Sequence, residues 1–236
     1  MSNEAIWAVI PAAGVGTRMG GEIPKQYLPL CGKTVIEHSI ERLLALPRID
    51  GAVVALREDD PWWPELACAG RADIRVAHGG AERADSVRNA LATLRQDLPE
   101  QTWVVVHDAA RPCLRSGDVE RLLDTAEGHA VGGLLALPLF DTIKRAGPGG
   151  EVAETVERSG LWRALTPQMF RLGPLHDALC VAHEAGRMVT DEAQAMELAG
   201  HHPLLVPGHA DNLKITHPQD LSLAELYLAR LQENGG

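Results

Sequence analysis

The sequence predicts an α/β fold: a mostly parallel sheet flanked by helices. Two observations carry this. Short apolar, β-branched runs alternate with longer amphipathic stretches along the chain, the pattern of repeated β-α units. Glycine-rich turns also follow directly on two of those runs, at residues 14–16 and 79–80, where a strand hands over to a helix. Candidate strands lie at 5–10, 51–56, 73–77, 102–107 and 131–137. After the first, Thr34 and Glu37 spell a T-x-x-E capping box, and Val35, Ile36, Ile40, Leu43 and Leu44 recur at helical spacing until Pro47 stops the helix. Further helices are expected at 82–98, 116–127, 174–184, 191–198 and 218–231, the last with Pro218 suited to a first helical turn.

One segment breaks the alternation. Residues 141–145 and 151–158 are polar, strand-like runs flanking Ala146, Gly147, Pro148, Gly149 and Gly150, which reads as a hairpin with a loose turn. It is too polar for a core, and a two-stranded ribbon is marginal alone in water, so it should lie against its own domain or another subunit. We read it as a dimerisation arm.

Composition narrows the function. The 236 residues carry 22 Lys+Arg against 32 Asp+Glu, a formal charge of −10, which excludes a general nucleic-acid coat. With 45% apolar and 23% charged residues the chain is globular in composition. Its longest apolar runs fall far short of the roughly 20 residues a membrane helix needs. A secretory signal would want a basic start and a longer apolar stretch than the run that meets Pro11, so the cytoplasm is the expected location. Cys31, Cys68, Cys113 and Cys180 lie far apart without zinc-ligand spacing and read as reduced structural thiols. Four of the 22 basic residues are lysines, Lys25, Lys33, Lys144 and Lys214, leaving 22 − 4 = 18 arginines. An ammonium that persists amid an Arg bias is a weak pointer to a specific task.

Three segments carry chemistry. The first runs from Pro11 through Gly14, Gly16 and Arg18 to Pro24 and Lys25. Its small residues let backbone N–H groups approach a ligand, and a polyphosphate is the natural guest. A dinucleotide fingerprint would need glycine where Met19 stands, and the Walker Gly-Lys-Ser/Thr never occurs. A plain strand-to-helix turn would carry the same glycines. The second is His107-Asp108-Ala109-Ala110-Arg111-Pro112, at the end of the best buried-strand candidate. Ligands sit off that edge of open α/β sheets, so Asp108 should face the same crevice as the glycine loop. A carboxylate there suits Mg²⁺, which takes one or two protein carboxylates and completes its shell with phosphate oxygens and water. Capping of the next turn is the alternative. The third, Gly79 to Val87, places small residues and the Ser86 hydroxyl at another strand-to-helix turn, where backbone atoms can read a base edge.

With these residues in view, the chain resembles the 2-C-methyl-D-erythritol 4-phosphate cytidylyltransferase family, CTP-using enzymes of the non-mevalonate isoprenoid route. The resemblance runs nearly end to end, through PAAGVGTRMGGEIPKQYLPL, GGAERADSV, HDAARP, DTIKR, LTPQMF, TDEAQAME and DNLKIT. It implies a Rossmann-like nucleotidyltransferase fold over 1–236 as one domain, with a β-arm at about 138–162 exchanged between the subunits of a homodimer.

Carried over residue by residue, it implies that Arg18 and Lys25 grip the triphosphate and stabilise the transition state. Ala12, Ala13, Gly14, Gly16, Gly80, Ala81, Ser86 and Ala109 would bind the nucleotide, and Asp108 would be the magnesium-associated aspartate. Arg111, Thr142, Arg158, Thr166, Thr190 and Lys214 would hold the acceptor phosphate, with Thr142 and Arg158 coming from the neighbouring subunit. At Ala81 some relatives carry Asp, which puts side-chain contacts there in question. CTP is then the co-substrate and Mg²⁺ or another divalent cation the cofactor. No serine or cysteine nucleophile is required, and Glu157, Asp191 and Asp211 are expected to be solvated or capping.

The nearest rival is a ribitol-5-phosphate cytidylyltransferase, with a similar CTP loop and a pentitol-type acceptor. Thr142, Arg158 and Thr166, in their DTIKR, ERSG and LTPQ settings, favour the methylerythritol enzymes. A sugar-1-phosphate nucleotidyltransferase would want a larger acceptor domain. A regulatory module that had lost catalysis would have no need of Arg18, Lys25 and Asp108 together.

Overall fold

A computed structural model describes residues 4–14 and 23–233. The chain runs through β1 (Ile6–Pro11), a short hairpin of β2 (Pro29–Leu30) and β3 (Lys33–Thr34), then α1 (Val35–Leu44), β4 (Gly51–Leu56) and β5 (Ile74–His78). Next come α2 (Arg83–Leu94), β6 (Trp103–Val106), α3 (Ser116–Glu127), β7 (Gly132–Pro138), β8 (Ile143–Ala146) and β9 (Val152–Val156). The last elements are β10 (Trp162–Arg171), α4 (Leu172–Glu184), α5 (Glu192–Leu198), β11 (Leu204–Pro207) and α6 (Gln219–Glu233).

Seven strands form one sheet in the order β11-β7-β10-β6-β1-β4-β5. Its pairings are parallel except those of β10, which runs antiparallel between β6 and β7. The expected mostly parallel sheet is therefore present, with one reversed strand in its middle. Sequence patterning misses β10 because Thr166, Pro167 and Gln168 interrupt its apolar run, and proline ordinarily demotes a strand. The register against β7 shifts between Ala164 and Gln168, so Pro167, without an N–H to give the ladder, sits at that irregularity.

Period-two alternation on β1 feeds both faces of the sheet. Ile6, Ala8 and Ile10 join a core with α1 and α3, while Val9 joins a second core with α2, α4 and α5. The fully buried strands β4 and β6 read as continuous apolar runs for the same reason. On α2, Val87, Ala90, Leu91 and Leu94 are each 0% exposed, and each leucine contributes about 2 kcal/mol by burial. That helix ends at Leu94, four residues before the expected boundary, and turns carry the chain on to Pro99.

The capping box at Thr34 is present. The Glu37 carboxylate accepts from the Thr34 N–H at 2.8 Å, and Thr34 Oγ1 accepts from the Glu37 N–H at 3.4 Å. A third core joins α6 to Leu30, Val35, Cys113 and Ile215, which brings the 211–216 segment under the sheet's strand ends.

β8 and β9 form a separate two-stranded sheet that prolongs the β7–β10 ladder, with Leu139 N–H bonded to the Leu161 carbonyl at 3.0 Å. Seven of its nine residues are exposed, the other two half-buried. Among the described residues no helix is long and apolar enough to cross a membrane.

Candidate functional site

The strand order reverses beside β1: the chain goes from β1 to β4 and β5 on one side, then returns to β6 on the other. Such a switch point leaves a crevice at the carboxyl ends of the two central strands. A cavity opens there, lined by residues 11–14, Lys25, Gln26, the turn at 80–83, Ser86, residues 108–110 and Lys214. Thus Ala12, Ala13, Gly14, Lys25, Gly80, Ala81, Ser86, Asp108, Ala109 and Lys214, far apart in sequence, line one cavity.

Each is placed by local bonding. The Ala12 N–H donates to the Ala55 carbonyl at 2.8 Å, continuing the β1–β4 ladder one residue past the strand. The buried Gln26 amide donates to the carbonyls of Ala12 and Gly14 at 2.8 and 2.9 Å, so a side chain fixes the residues that lead out of β1. Lys25 opens a turn of 3₁₀ helix, and its ammonium donates to the Ile215 carbonyl at 2.9 Å. At the opposite wall, Gly80 N–H donates to Ser86 Oγ at 3.0 Å, and that hydroxyl donates to the Glu82 carbonyl at 3.2 Å. Glycine is required at this turn. A Cβ on Gly79 would lie 2.2 Å from Ala13 Cβ, and one on Gly80 would lie 2.2 Å from Asp85 Cβ.

Asp108, 6% exposed, is the electrostatic centre. Its Oδ1 accepts from Arg83 Nε at 2.8 Å, and its Oδ2 accepts from Lys214 Nζ at 2.9 Å and Arg111 Nε at 3.3 Å. Burial pushes the carboxyl up, but Arg83, Lys214 and Arg111 outweigh it and hold it well below the ordinary aspartate range. Burial likewise depresses Arg111, which its contact with Asp108 partly offsets. Burial works against the charge on Arg83 too, yet the carboxylates of Glu192 and Asp108 raise it above its ordinary value. Arg83 meets Glu192 with both terminal nitrogens, at 2.6 and 3.0 Å.

A neutral network supports this centre from behind. The Asp108 N–H donates to Thr166 Oγ1 at 3.1 Å, and that hydroxyl lies 2.9 Å from His107 Nδ1. His107 Nε2 lies 3.0 Å from the Arg111 carbonyl, so a neutral ring donating from Nε2 and accepting at Nδ1 satisfies both contacts. Burial lowers His107 to about 4. Asn212 donates to the Thr166 carbonyl at 2.7 Å, and its own carbonyl accepts from Arg111 at 2.8 Å.

Of the expected acceptor residues, Lys214 lines the cavity, and Arg111 and Thr166 reach it through Asp108. Thr190 is exposed, bonds to Gln194, and lines a neighbouring cavity that Arg83 shares. Thr142 and Arg158 lie exposed at the arm, where Arg158 donates to the Phe140 carbonyl. Arg18 and Gly16 lie outside the described residues. Asp191 caps α5 as expected, accepting from the Gln194 N–H, and exposed Glu157 accepts from the Ser159 N–H. Asp211 is neither solvated nor a cap: it is buried and paired with Arg115. Arg83, Glu192, Gln26 and Asn212 carry no local sequence signal of a role, although each sits inside a motif already singled out.

Comparison with known proteins finds one family. The family model for 2-C-methyl-D-erythritol 4-phosphate cytidylyltransferase matches residues 6–230. A protein of that name from Pseudomonas aeruginosa is 56% identical over 218 residues, covering 92% of this chain and 93% of the relative. One from Hahella chejuensis is 48% identical over 233 residues, 99% of this chain and 97% of the relative. The crystal structure of the Francisella tularensis 2-C-methyl-D-erythritol 4-phosphate cytidylyltransferase superposes with a TM-score of 0.82 at 34% identity, covering 94% of this chain and 99% of that one.

Proposed function

The chain belongs to the 2-C-methyl-D-erythritol 4-phosphate cytidylyltransferase family, and from that premise we propose that the crevice at the ends of β1 and β6 is its active site. The enzyme joins CTP to 2-C-methyl-D-erythritol 4-phosphate, giving 4-diphosphocytidyl-2-C-methyl-D-erythritol and pyrophosphate. The observation that carries the site is the convergence on one cavity of a small-residue loop, the Lys25 ammonium and a buried carboxylate ringed by cations.

In this reading an acceptor phosphate oxygen attacks the α-phosphorus of CTP. A new P–O bond forms, the bond to the β-phosphate breaks, and its electron pair leaves with pyrophosphate. The acceptor is already an anion near neutral pH, since a phosphomonoester's second pKa is about 6, so no general base is needed. His107 stands behind the site rather than serving as the base: it is buried, burial favours its neutral form, and both ring nitrogens are bonded inside the protein. Catalysis then consists of positioning and of cancelling charge between two polyanions. Lys25 and Arg18 supply that charge on the nucleotide side, with Ala12, Ala13, Gly14, Gly16, Gly80, Ala81, Ser86 and Ala109 shaping the nucleotide cradle. Lys214, Arg111, Thr166 and Thr190, with Thr142 and Arg158 of a second subunit, hold the acceptor. A local field of this kind overcomes the chain's net charge of −10.

Asp108 fits a divalent ion. Its Oδ2 faces Lys214, whose side chain is 41% exposed and free to turn toward phosphates. Among the described residues no group of three or more His, Cys, Asp or Glu is gathered to hold a metal, so an ion here would take its other ligands from phosphate and water, the habit of Mg²⁺. Held by Asp108, it would supply positive charge against the phosphates.

We also propose that the chain is one domain that dimerises through the β8–β9 arm. An exposed ribbon prolonging the β7–β10 ladder is of the kind that gains stability by lying on a second copy. A cytoplasmic location completes the reading. The test is to supply CTP and Mg²⁺ with methylerythritol phosphate or ribitol 5-phosphate in parallel and to measure pyrophosphate. Release with the first acceptor and little with the second is expected; the reverse outcome overturns the acceptor assignment.

A further inference from the structure

Three cations surround Asp108, and they are not equivalent. Lys214 is 41% exposed and meets the carboxylate with one rotatable ammonium. Arg111 approaches at 3.3 Å, the longest of the three contacts. Arg83 is different. Its Nε is bonded to Asp108 Oδ1, and both terminal nitrogens are bonded to the two oxygens of Glu192. A guanidinium held along both edges by carboxylates cannot turn to a substrate phosphate without stranding a buried charge.

Glu192 is itself bolted in place. It is 0% exposed at the start of α5. The buried Gln168 of β10 fixes that helix end on both sides, accepting from the Ala193 N–H at 2.8 Å and donating to the Asp191 carboxylate at 2.9 Å. A rigid relay therefore runs from β10 through α5 and Glu192 to Arg83, and so to Asp108.

Charge points the same way. If Arg83 stood unpaired, three cations would face one carboxylate, a poor lure for a divalent ion. Glu192 cancels Arg83, so when Lys214 turns toward phosphate, the second oxygen of Asp108 keeps only the long 3.3 Å contact with Arg111 and can take a cation from the crevice. We propose that Glu192, acting through Arg83, is a positioning residue: it locks one oxygen of Asp108 so that the other is presented to the divalent cation that arrives with the nucleotide. This rests on the cytidylyltransferase reading of the crevice.

The test is Mn²⁺ affinity of the protein with CTP present and acceptor absent, followed by the enhanced water-proton relaxation of protein-bound Mn²⁺ against a control of Mn²⁺ and CTP alone, for wild type and Glu192→Gln. Supporting groups behind a metal ligand are worth about 10- to 100-fold in metal affinity, so Glu192→Gln should bind Mn²⁺ at least about tenfold more weakly. In turnover, the Mg²⁺ needed for half-maximal rate should rise by a similar factor while KM for the acceptor changes less than about twofold. Folded Glu192→Gln with wild-type Mn²⁺ affinity overturns the proposal, as does a variant that loses only thermal stability. If Glu192→Gln does not fold, Arg83→Lys decides by the same measurement, because one ammonium cannot bridge two carboxylates in the fork geometry. Failure of wild type itself to take up Mn²⁺ with CTP would instead strike the cytidylyltransferase reading of the crevice.

Discussion

The crevice and the arm are built on opposite principles. At the crevice a few polar groups are buried and each is held by several others: Asp108 by three cations, Thr166 by His107, Asp108 and Asn212, and Gln26 by two loop carbonyls. In the arm the pairs are single and open to water, such as Arg145 with Glu154 and Lys144 with Thr155. Exposed pairs of that kind contribute little, whereas removing one partner of a buried network strands the others. One chain therefore preorganises the crevice, while the arm's geometry is expected to be set by what it lies against.

The largest expected effect lies at the crevice. Lys25→Ala should lower kcat by more than about 100-fold, the scale of losing one charged stabiliser of a transition state. Steady-state kinetics decides: near-normal kcat with only a raised KM for CTP would move Lys25 from transition-state stabilisation to simple binding.

Next comes the arm. Arg158→Ala should be inactive alone, and mixing it with inactive Lys25→Ala should restore roughly a quarter of wild-type activity, since half the dimers are mixed and one site in each is intact. No recovery despite demonstrated subunit exchange would sink the shared site and leave crevice and arm unrelated.

The smallest effect sharpens the comparison through glycines. Gly80→Ala forces a Cβ into Asp85 and should cost about 1–3 kcal/mol in urea unfolding while raising KM for CTP. Gly150→Ala, at φ +87° with nothing within 4 Å, should cost about 1 kcal/mol of backbone strain and leave KM unchanged. Equal KM shifts in both would mean that the turn at 80 is not part of the nucleotide cradle.

Much of this was legible in the sequence, and the remainder was hidden for physical reasons. Parallel strands buried on both faces announce themselves as apolar runs, so β1, β4, β6 and β7 were readable, as was the capping box at Thr34. The hairpin was readable because its polarity clashed with everything around it. The reversed strand β10 was not: Pro167 and Gln168 sit in the middle of it, and only pairing with β6 and β7 makes a strand of that pattern. At β11, four residues paired along one edge leave too short a run to stand out.

The same limit applies to the site. Glycine turns and the His107-Asp108 run show their chemistry locally, whereas Arg83 and Glu192 are 109 residues apart and look like ordinary helix-start charges until folding joins them. Arg18 shows the converse: the role proposed for it rests on the loop motif and the family, since it lies outside the described residues.

The most direct measurement is an anomalous-scattering map of crystals grown with CTP and Mn²⁺. A manganese peak is expected beside Asp108 Oδ2, with the α-phosphate between that ion and the Lys25 ammonium and Lys214 turned from Asp108 to the phosphates. Nucleotide bound elsewhere on the protein, or in the crevice with its phosphates away from Lys25 and Asp108, would contradict it.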